Sequence, residues 1–430
     1  MQKNLRSPEI VRKTLHLLKD IGLRDHVEAF AVLLLYIHRH GEWKEIYYSA
    51  QDYSPIIKDR IHSEAEHLGL RDVVTSISLD SANSDMICKA VRRLNDLPSG
   101  DREYFDAIDT CLMAHDQNTG MSPAIADIIL RIASPQGRVL VPFCRTGMLC
   151  ARTRSFAPNI HTLLWTTLHD RNALLCRMAM RAYGVSHDTR VVETSGGAEE
   201  EEEEEEILLP EGIDRTDVIV ADCASSKEIA QKFNAATFQK LQDILTPRGT
   251  LTLLVAPGIT SGAQFKQIRK KLVDNQWLDA IIRLPNELFP RIRNDIYLIV
   301  IRKEKTGPYV LFVDGKELSE KYKKKNLIED TFFSGIIDDY WQHQYEGRRR
   351  NTLESCEEKK IGPFAREILY STIFKNNCDF DIVRYIAPEP EVIDLFKESE
   401  DLRNICMKRE MAEKELDDCI KRVLAQDRRK

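Results

Sequence analysis

The segment Gly137 to Ala151, GRVLVPFCRTGMLCA, joins an apolar run to a short turn. Nucleotide-binding α/β proteins bring backbone amides to a ligand at such strand ends. A cofactor loop of this kind needs small residues for close backbone approach, and an acid where the ligand carries an ammonium group. The turn VPFCRTGM offers one glycine, Gly147, no acid, and the intruding Arg145. Cys144 sits in the same turn without an evident base to make it a nucleophile. Other candidates are plainer. His38 and His40 close the apolar stretch EAFAVLLLYIHRHG, where a helix C-terminus favours a partly positive imidazole over a metal ligand. The basic stretches QFKQIRKKL and GRRRN (Arg348 to Arg350) could contact phosphate, although solvated helix faces and loops carry such charge by default. No Walker loop, zincin motif or Ser/His/Asp arrangement stands out.

The elements that must position these residues fall into a helical part and an alternating part. The chain has 430 residues, 43% hydrophobic and 30% charged, with a formal net charge of −6. That is long enough for two or three structural units, and its mildly acidic balance gives no support for broad capture of nucleic acid. No apolar run approaches the roughly 20 residues of a membrane span, and MQKNLRSPEIVRK lacks the apolar core of a signal peptide. Ten scattered cysteines without a Cys-x-x-Cys pair argue against a disulfide framework or zinc site and fit a reducing cytoplasm. Residues 1–115 read as a helical domain. Three helix starts share a serine followed by proline, at Ser7-Pro8, Ser54-Pro55 and Ser122-Pro123, with glycine stops at Gly22 and Gly69.

From Arg138 onward short apolar strands alternate with helices: RVLVP, HTLLWTT, TRVVE, TDVIVAD, GTLTLLVAP, LDAIIRLP, DIYLIVIRK and YVLFVD. The alternation predicts a doubly wound, mostly parallel α/β sheet over 116–345. LDAIIRLP and DIYLIVIRK are joined by a loop too short for a crossover helix, so an antiparallel last strand is expected. The region 196–210 reads as an acidic insertion, with Glu199 to Glu206 self-repelling and solvated. Residues 346–430 read as a charged, helical C-terminal tail whose apolar residues recur at three- and four-residue intervals, suited to docking a partner or its own domain.

The order of these segments resembles the modification subunit of type I restriction–modification systems, a family of S-adenosylmethionine-dependent DNA N6-adenine methyltransferases. GMSPAIADIILRIASPQGRVLVPFCRTGMLCA is similar to that family's entry helix and cofactor motif. DVIVADCASS falls where the family carries Asn-Pro-Pro-Phe/Tyr. FQKLQDILTPRGTLTLLVAPG, IRKKLVDNQWLDAIIRLPNELF, DIYLIVIRKEK, VLFVDGKEL and NNCDFDIVRYI continue the likeness. Each piece is short; their shared order and spacing carry the resemblance.

The resemblance implies a Rossmann-like methyltransferase sheet, S-adenosylmethionine as cofactor, DNA as substrate and a specificity subunit or other protein as partner. Carried over position by position, the cofactor-binding set is Val141, Pro142, Arg145, Thr146, Gly147 and Thr167, and the catalytic position is Asp222. Several of these depart from the pattern. The cofactor acid is replaced by Val141, the first glycine by Arg145 and the second glycine of the pair by Met148, while Pro142, Cys144, Thr146 and Gly147 match. The ribose-gripping acid falls on Thr167, with Asp170 three residues beyond. At the target-base motif Asp222 keeps an acceptor, but Cys223, Ala224 and Ser225 replace both prolines and the stacking ring. The expectation is a preserved fold without the ancestral catalysis, acting as a scaffold or DNA-associated subunit. The alternatives are an active adenine methyltransferase using Asp222 and Asp170, and a loop repurposed to bind an anion through Arg145.

Overall fold

The computed structural model describes residues 7–23, 26–53, 55–77, 79, 82–115, 121–156, 159–167, 170–185, 190–195, 215–284, 294–305, 307–316, 335–344, 358–362, 364–386 and 395–427. They divide into two compact units, Met1–Ile386 and Ala387–Lys430.

The first unit opens with helices α1 (Ser7–Leu18), α2 (Val27–His40), α3 (Trp43–Gln51), α4 (Ile57–His67), α5 (Arg71–Ile77), α6 (Ser84–Leu94), α7 (Asp101–Ala114) and α8 (Pro123–Ala133). Gly22 and Gly69 adopt φ of +92° and +70°, the left-handed turn that ends a helix cheaply only at glycine. Ser122 accepts the Ile125 amide at 3.4 Å, capping α8 with Pro123 at its first position. α4 starts at Ile57, and Ser54, expected to cap it, lies outside the described residues. α2 is buried over nearly its whole circumference from Ala29 to Ile37. His38 corrects the charge expected of it, since burial and the neighbouring Arg39 both push its imidazole towards neutral. It meets Trp43 edge-on, while His40 tilts against Tyr36.

The alternating part follows as β1 (Gly137–Val141), α9 (Met148–Phe156), β2 (Ile160–Thr167), α10 (Asp170–Ala182), β3 (Arg190–Ser195), β4 (Thr216–Asp222), α11 (Lys227–Lys232), α12 (Ala235–Asp243), β5 (Leu245–Val255), α13 (Gly258–Ser261), α14 (Lys266–Asp274), β6 (Leu278–Leu284), β7 (Ile296–Arg302) and β8 (Tyr309–Asp314). A helix over 335–344 (α15), β9 (Lys359–Gly362), β10 (Ala365–Leu369), α16 (Tyr370–Lys375) and α17 (Ile382–Tyr385) complete the unit. The described strands form one sheet in the order β3-β2-β1-β4-β5-β7-β6-β8-β10-β9. β1 to β5 run parallel, and β7 lies antiparallel between β5 and β6, as the short β6–β7 connection requires.

β7 is not the sheet's last strand. β8 joins β6 in parallel, and β10 and β9 extend the edge antiparallel. The expected helical tail from 346 is therefore displaced. Residues 359–386 complete the sheet unit, and the long helix of the second unit, α18, spans Leu395–Asp427. Glu199 to Glu206 and Arg348 to Arg350 lie outside the described residues.

Both faces of the sheet are covered. Val139 and Val141 of β1 join the cluster that also holds the buried residues of α1 to α8, whereas Leu140 joins the cluster beneath α11 to α14. The helical segment thus shares its core with one face of the sheet. Two polar ties reinforce that contact. Arg152 of α9 reaches Asp127 at 2.6 Å and Asp109 at 2.9 Å, and Tyr183 donates to Asp109 at 2.5 Å. His115 meets Asn172 of α10 at 3.0 Å and Glu28 of α2 at 3.5 Å. Among the described residues no helix is long and apolar enough to cross a membrane.

Candidate functional site

The strand order reverses beside β1, which has β2 on one side and β4 on the other. Open α/β sheets hold ligands in the crevice at that switch point, outside the carboxyl ends of the strands. The turn after β1 and the end of β4 are therefore where a site is expected, and the structure brings both together. One cavity there is lined by Met121, residues 141–149 and Asp222.

Backbone geometry fixes the turn closely. Phe143 takes a left-handed φ of +61°, unusual for a bulky side chain, and its ring is buried. Its amide donates to Thr166 Oγ1 at 3.0 Å, and the Cys144 amide donates to the Thr166 carbonyl at 2.6 Å. The turn is thereby pinned to the end of β2. Gly147, at φ +77°, lies so close to α10 that a Cβ there would stand 2.8 Å from the Cys176 Cα. The Gly147 carbonyl then accepts from Ala151 at 2.8 Å and starts α9. Met148 donates to Thr146 Oγ1 at 3.4 Å.

The side chains closing this space are mostly apolar or sulfur-bearing. Val141 is 1% exposed and occupies the last position of β1, beside Trp165 of β2. Pro142 and Thr146 are buried, and Arg145 is half-buried along the lining. Cys144 Sγ lies 3.1 Å from Cys150 Sγ. Hydrogen bonds from Cys150 and Cys176 draw the Cys144 thiol below its ordinary pKa, with burial opposing. Burial and the Cys144 contact push Cys150 up. Burial, with Asp222 adding to it, does the same to Cys223.

Thr167 is buried in register with Ser195 of β3 and does not line the cavity. Asp170 opens α10, but its side chain lies outside the described residues. Asp222 does line the cavity, yet Oδ1 accepts the amides of Ala224 at 3.1 Å and Ser225 at 2.9 Å. This is the local turn that aspartates make with their own backbone. Ser225 is 4% exposed, and its hydroxyl faces protein interior rather than a stacking surface. The volume is about 30 Å3. That accommodates water-sized molecules, whereas pockets for drug-sized ligands and cofactors measure about 300–1,000 Å3.

Met121, Phe143, Leu149, Cys150 and Cys176 belong to this site but were not singled out in the sequence. Met121 carries a signal in retrospect, since it directly precedes the Ser122-Pro123 helix start that faces the loop. The stretch QFKQIRKKL resolves differently from a phosphate contact. Arg269 is 4% exposed and donates to the carbonyls of Cys378, Ile259 and Gly262 at 3.0, 2.9 and 2.8 Å, tying α14 to α13 and the chain after α16. Lys266 and Lys270 of the same helix remain exposed. The segment NNCDFDIVRYI packs under the sheet, where Phe380 donates to the Thr260 carbonyl and Tyr385 tilts against Phe312.

Residues 222–394 match the N-6 DNA Methylase family. The matched span begins at Asp222, so the turn after β1 and Thr167 lie upstream of it. The chain is similar to the methylase subunit of the type I restriction enzyme MpnII from Mycoplasma pneumoniae, 27% identical over 155 residues, covering 35% of this chain and 26% of that protein. It is likewise similar to the MjaVII methylase subunit of Methanocaldococcus jannaschii, 29% identical, over 37% of this chain and 26% of that one. These matches thus span about a quarter of the relatives' length. In fold, the chain resembles a type I restriction–modification methyltransferase subunit from Streptococcus thermophilus, with TM-score 0.65 at 14% identity, covering 89% of this chain and 99% of that one. A structure described for assembly and conformational transition of the type I system aligns with TM-score 0.57 at 15% identity, over 97% and 98%. Sequence and fold together relate this chain to the N-6 DNA methylase family and to type I methylase subunits.

Proposed function

We propose that this chain is a methyltransferase-like subunit that has kept the family's scaffold and lost its methyl transfer, acting within a DNA-associated complex. The observation that carries this reading is the small switch-point crevice, about 30 Å3 at the positions that would have to admit a nucleoside and a methionine moiety. Its lining supports the same reading. Val141 supplies no carboxylate for an ammonium group, and Arg145 brings positive charge towards a cationic ligand. Asp222 spends one carboxylate oxygen on its own backbone, and no ring at Ser225 can stack on a flipped adenine. The residues present therefore do not fit S-adenosylmethionine.

A partner role draws support from α18. Leu402, Ile405 and Leu416 are each more than 60% exposed and share one face of a 33-residue helix, Leu402 and Leu416 being two heptads apart. Such a face suits a helical segment of a specificity subunit or another protein.

Calorimetry with S-adenosylmethionine tests the loss of cofactor, and the expected result is no binding heat. Micromolar binding, or radiolabelled methyl transfer to DNA that disappears in Asp222→Ala, would overturn the reading in favour of a working adenine methyltransferase.

A further inference from the structure

Three of the chain's ten cysteines gather beside the small crevice, Cys144 in its lining with Cys150 and Cys176 against it. Cys144 sits in the turn after β1, Cys150 in the first turn of α9, and Cys176 on α10. None is disulfide-bonded. Among the described residues no group of three His, Cys, Asp or Glu side chains is arranged to hold a metal ion. Thiol chemistry is what remains for this cluster.

We propose that Cys144 and Cys150 are a reversible oxidation site, forming a disulfide that clamps the turn after β1 onto α9 when the protein meets hydrogen peroxide. The geometry supplies the pair. Their sulfurs stand 3.1 Å apart, and a bond of about 2.05 Å asks them to close by only about 1 Å. The cavity supplies the oxidant's route. Cys144 is 7% exposed and lines the crevice, whose size admits a water-sized peroxide and excludes a tripeptide disulfide such as oxidised glutathione. Cys150 is fully buried behind it, placed to resolve rather than to attack first.

The chemistry balances in two steps. Cys144 thiolate attacks one peroxide oxygen and breaks the O–O bond, giving the sulfenic acid and, with one proton, water. Cys150 sulfur then attacks the Cys144 sulfur, its thiol proton leaves with the sulfenic hydroxyl as a second water, and the S–S bond forms. Two thiols are oxidised and one peroxide is reduced. The hydrogen bonds that Cys150 and Cys176 direct at Cys144 favour the thiolate that the first step needs. This assignment goes beyond the loss of methyl transfer and does not depend on it, because a thiol pair oxidises whether or not a cofactor binds.

The sequence makes the test direct. Arg145 lies between the two cysteines, so trypsin cuts them into separate peptides, 139–145 and 146–152. After a peroxide pulse on the native full-length chain, non-reducing peptide mapping is expected to find these two joined, lighter by two hydrogens and separated again by dithiothreitol. Cys150→Ser should arrest the reaction at a Cys144 sulfenic acid, which dimedone traps when the peroxide-treated chain is unfolded in its presence. If that variant does not fold, the wild-type linkage map still decides. The proposal fails if both peptides stay unlinked and alkylatable while the exposed Cys406 is oxidised, or if oxidised glutathione adds to Cys144 in the native protein.

Discussion

Gly147→Ala separates a loop packed for its own sake from a loop held open for a ligand. The glycine sits at φ +77°, and an added Cβ would lie 2.8 Å from the Cys176 Cα and 3.2 Å from the Ala179 Cβ. A left-handed conformation costs an alanine about 1–2 kcal/mol. Forcing a methyl into close-packed surroundings typically costs a further 1–3 kcal/mol or so. Because the nearer obstacle is backbone of α10 rather than a flexible side chain, both costs apply, giving a loss of about 2–5 kcal/mol. Urea titration of the full chain reads it as a lower midpoint with an unchanged slope. Ala179→Gly in the same background removes only the 3.2 Å contact, so it should return little of the loss. The reasoning is refuted if Gly147→Ala costs less than about 1 kcal/mol, since the turn would then not be seated on α10 as described.

Two further substitutions test the surroundings. Val141→Asp, which puts an acid where the resembled motif carries one, should not produce S-adenosylmethionine binding. It places an unpaired carboxylate at a position 1% exposed and should cost about 3–5 kcal/mol, less at acid pH where the group protonates; S-adenosylmethionine binding without that loss would contradict the buried packing at this position. Asp109→Asn addresses the tie between α7 and α9. Burial raises the Asp109 carboxyl from 3.8 to about 6, outweighing the Arg152 guanidinium and Tyr183 hydroxyl that favour its charge. Between those values the folded chain holds a proton the unfolded chain has released, so stability falls as pH rises from about 4 to 6, by up to about 3 kcal/mol. The difference between wild type and Asp109→Asn in urea titrations across that range should show this slope; a flat difference would refute it.

The sheet was legible because continuous apolar runs and short connections leave few arrangements. LDAIIRLP and DIYLIVIRK, too closely joined for a crossover, could pair only antiparallel, and β6 and β7 do. β9 and β10 were not legible. KKIG is short and charged, and AREIL carries Glu367, whose burial depends on a long-range partner, His343 at 2.9 Å. Local pattern cannot announce a strand whose polar residue is satisfied 24 positions away. The same limit hid the role of Arg269 in QFKQIRKKL, because a buried arginine holding four carbonyls has the same sequence as one facing solvent.

The candidate site was legible as a place and only partly as an arrangement. Val141, Arg145 and Asp222 line one cavity, whereas Thr167 stays within the strand pairing. The thiol cluster escaped notice because Cys144, Cys150 and Cys176 are separated by a turn and a whole strand, and nothing in their spacing marks them as neighbours. The family match adds a physical asymmetry, since it begins at Asp222 and leaves the turn after β1 outside. Strands β4 to β8 and the segment after α16 are held by mutual burial, which conserves hydrophobic pattern whatever the crevice does. The turn after β1 is held by packing on β2 and α10, which Val141, Met148 and Gly147 satisfy. Departures from the resembled motif fall in both halves of the site, at Val141, Arg145 and Met148 in the turn after β1 and at Cys223, Ala224 and Ser225 after Asp222, and what stays readable is the buried scaffold around them.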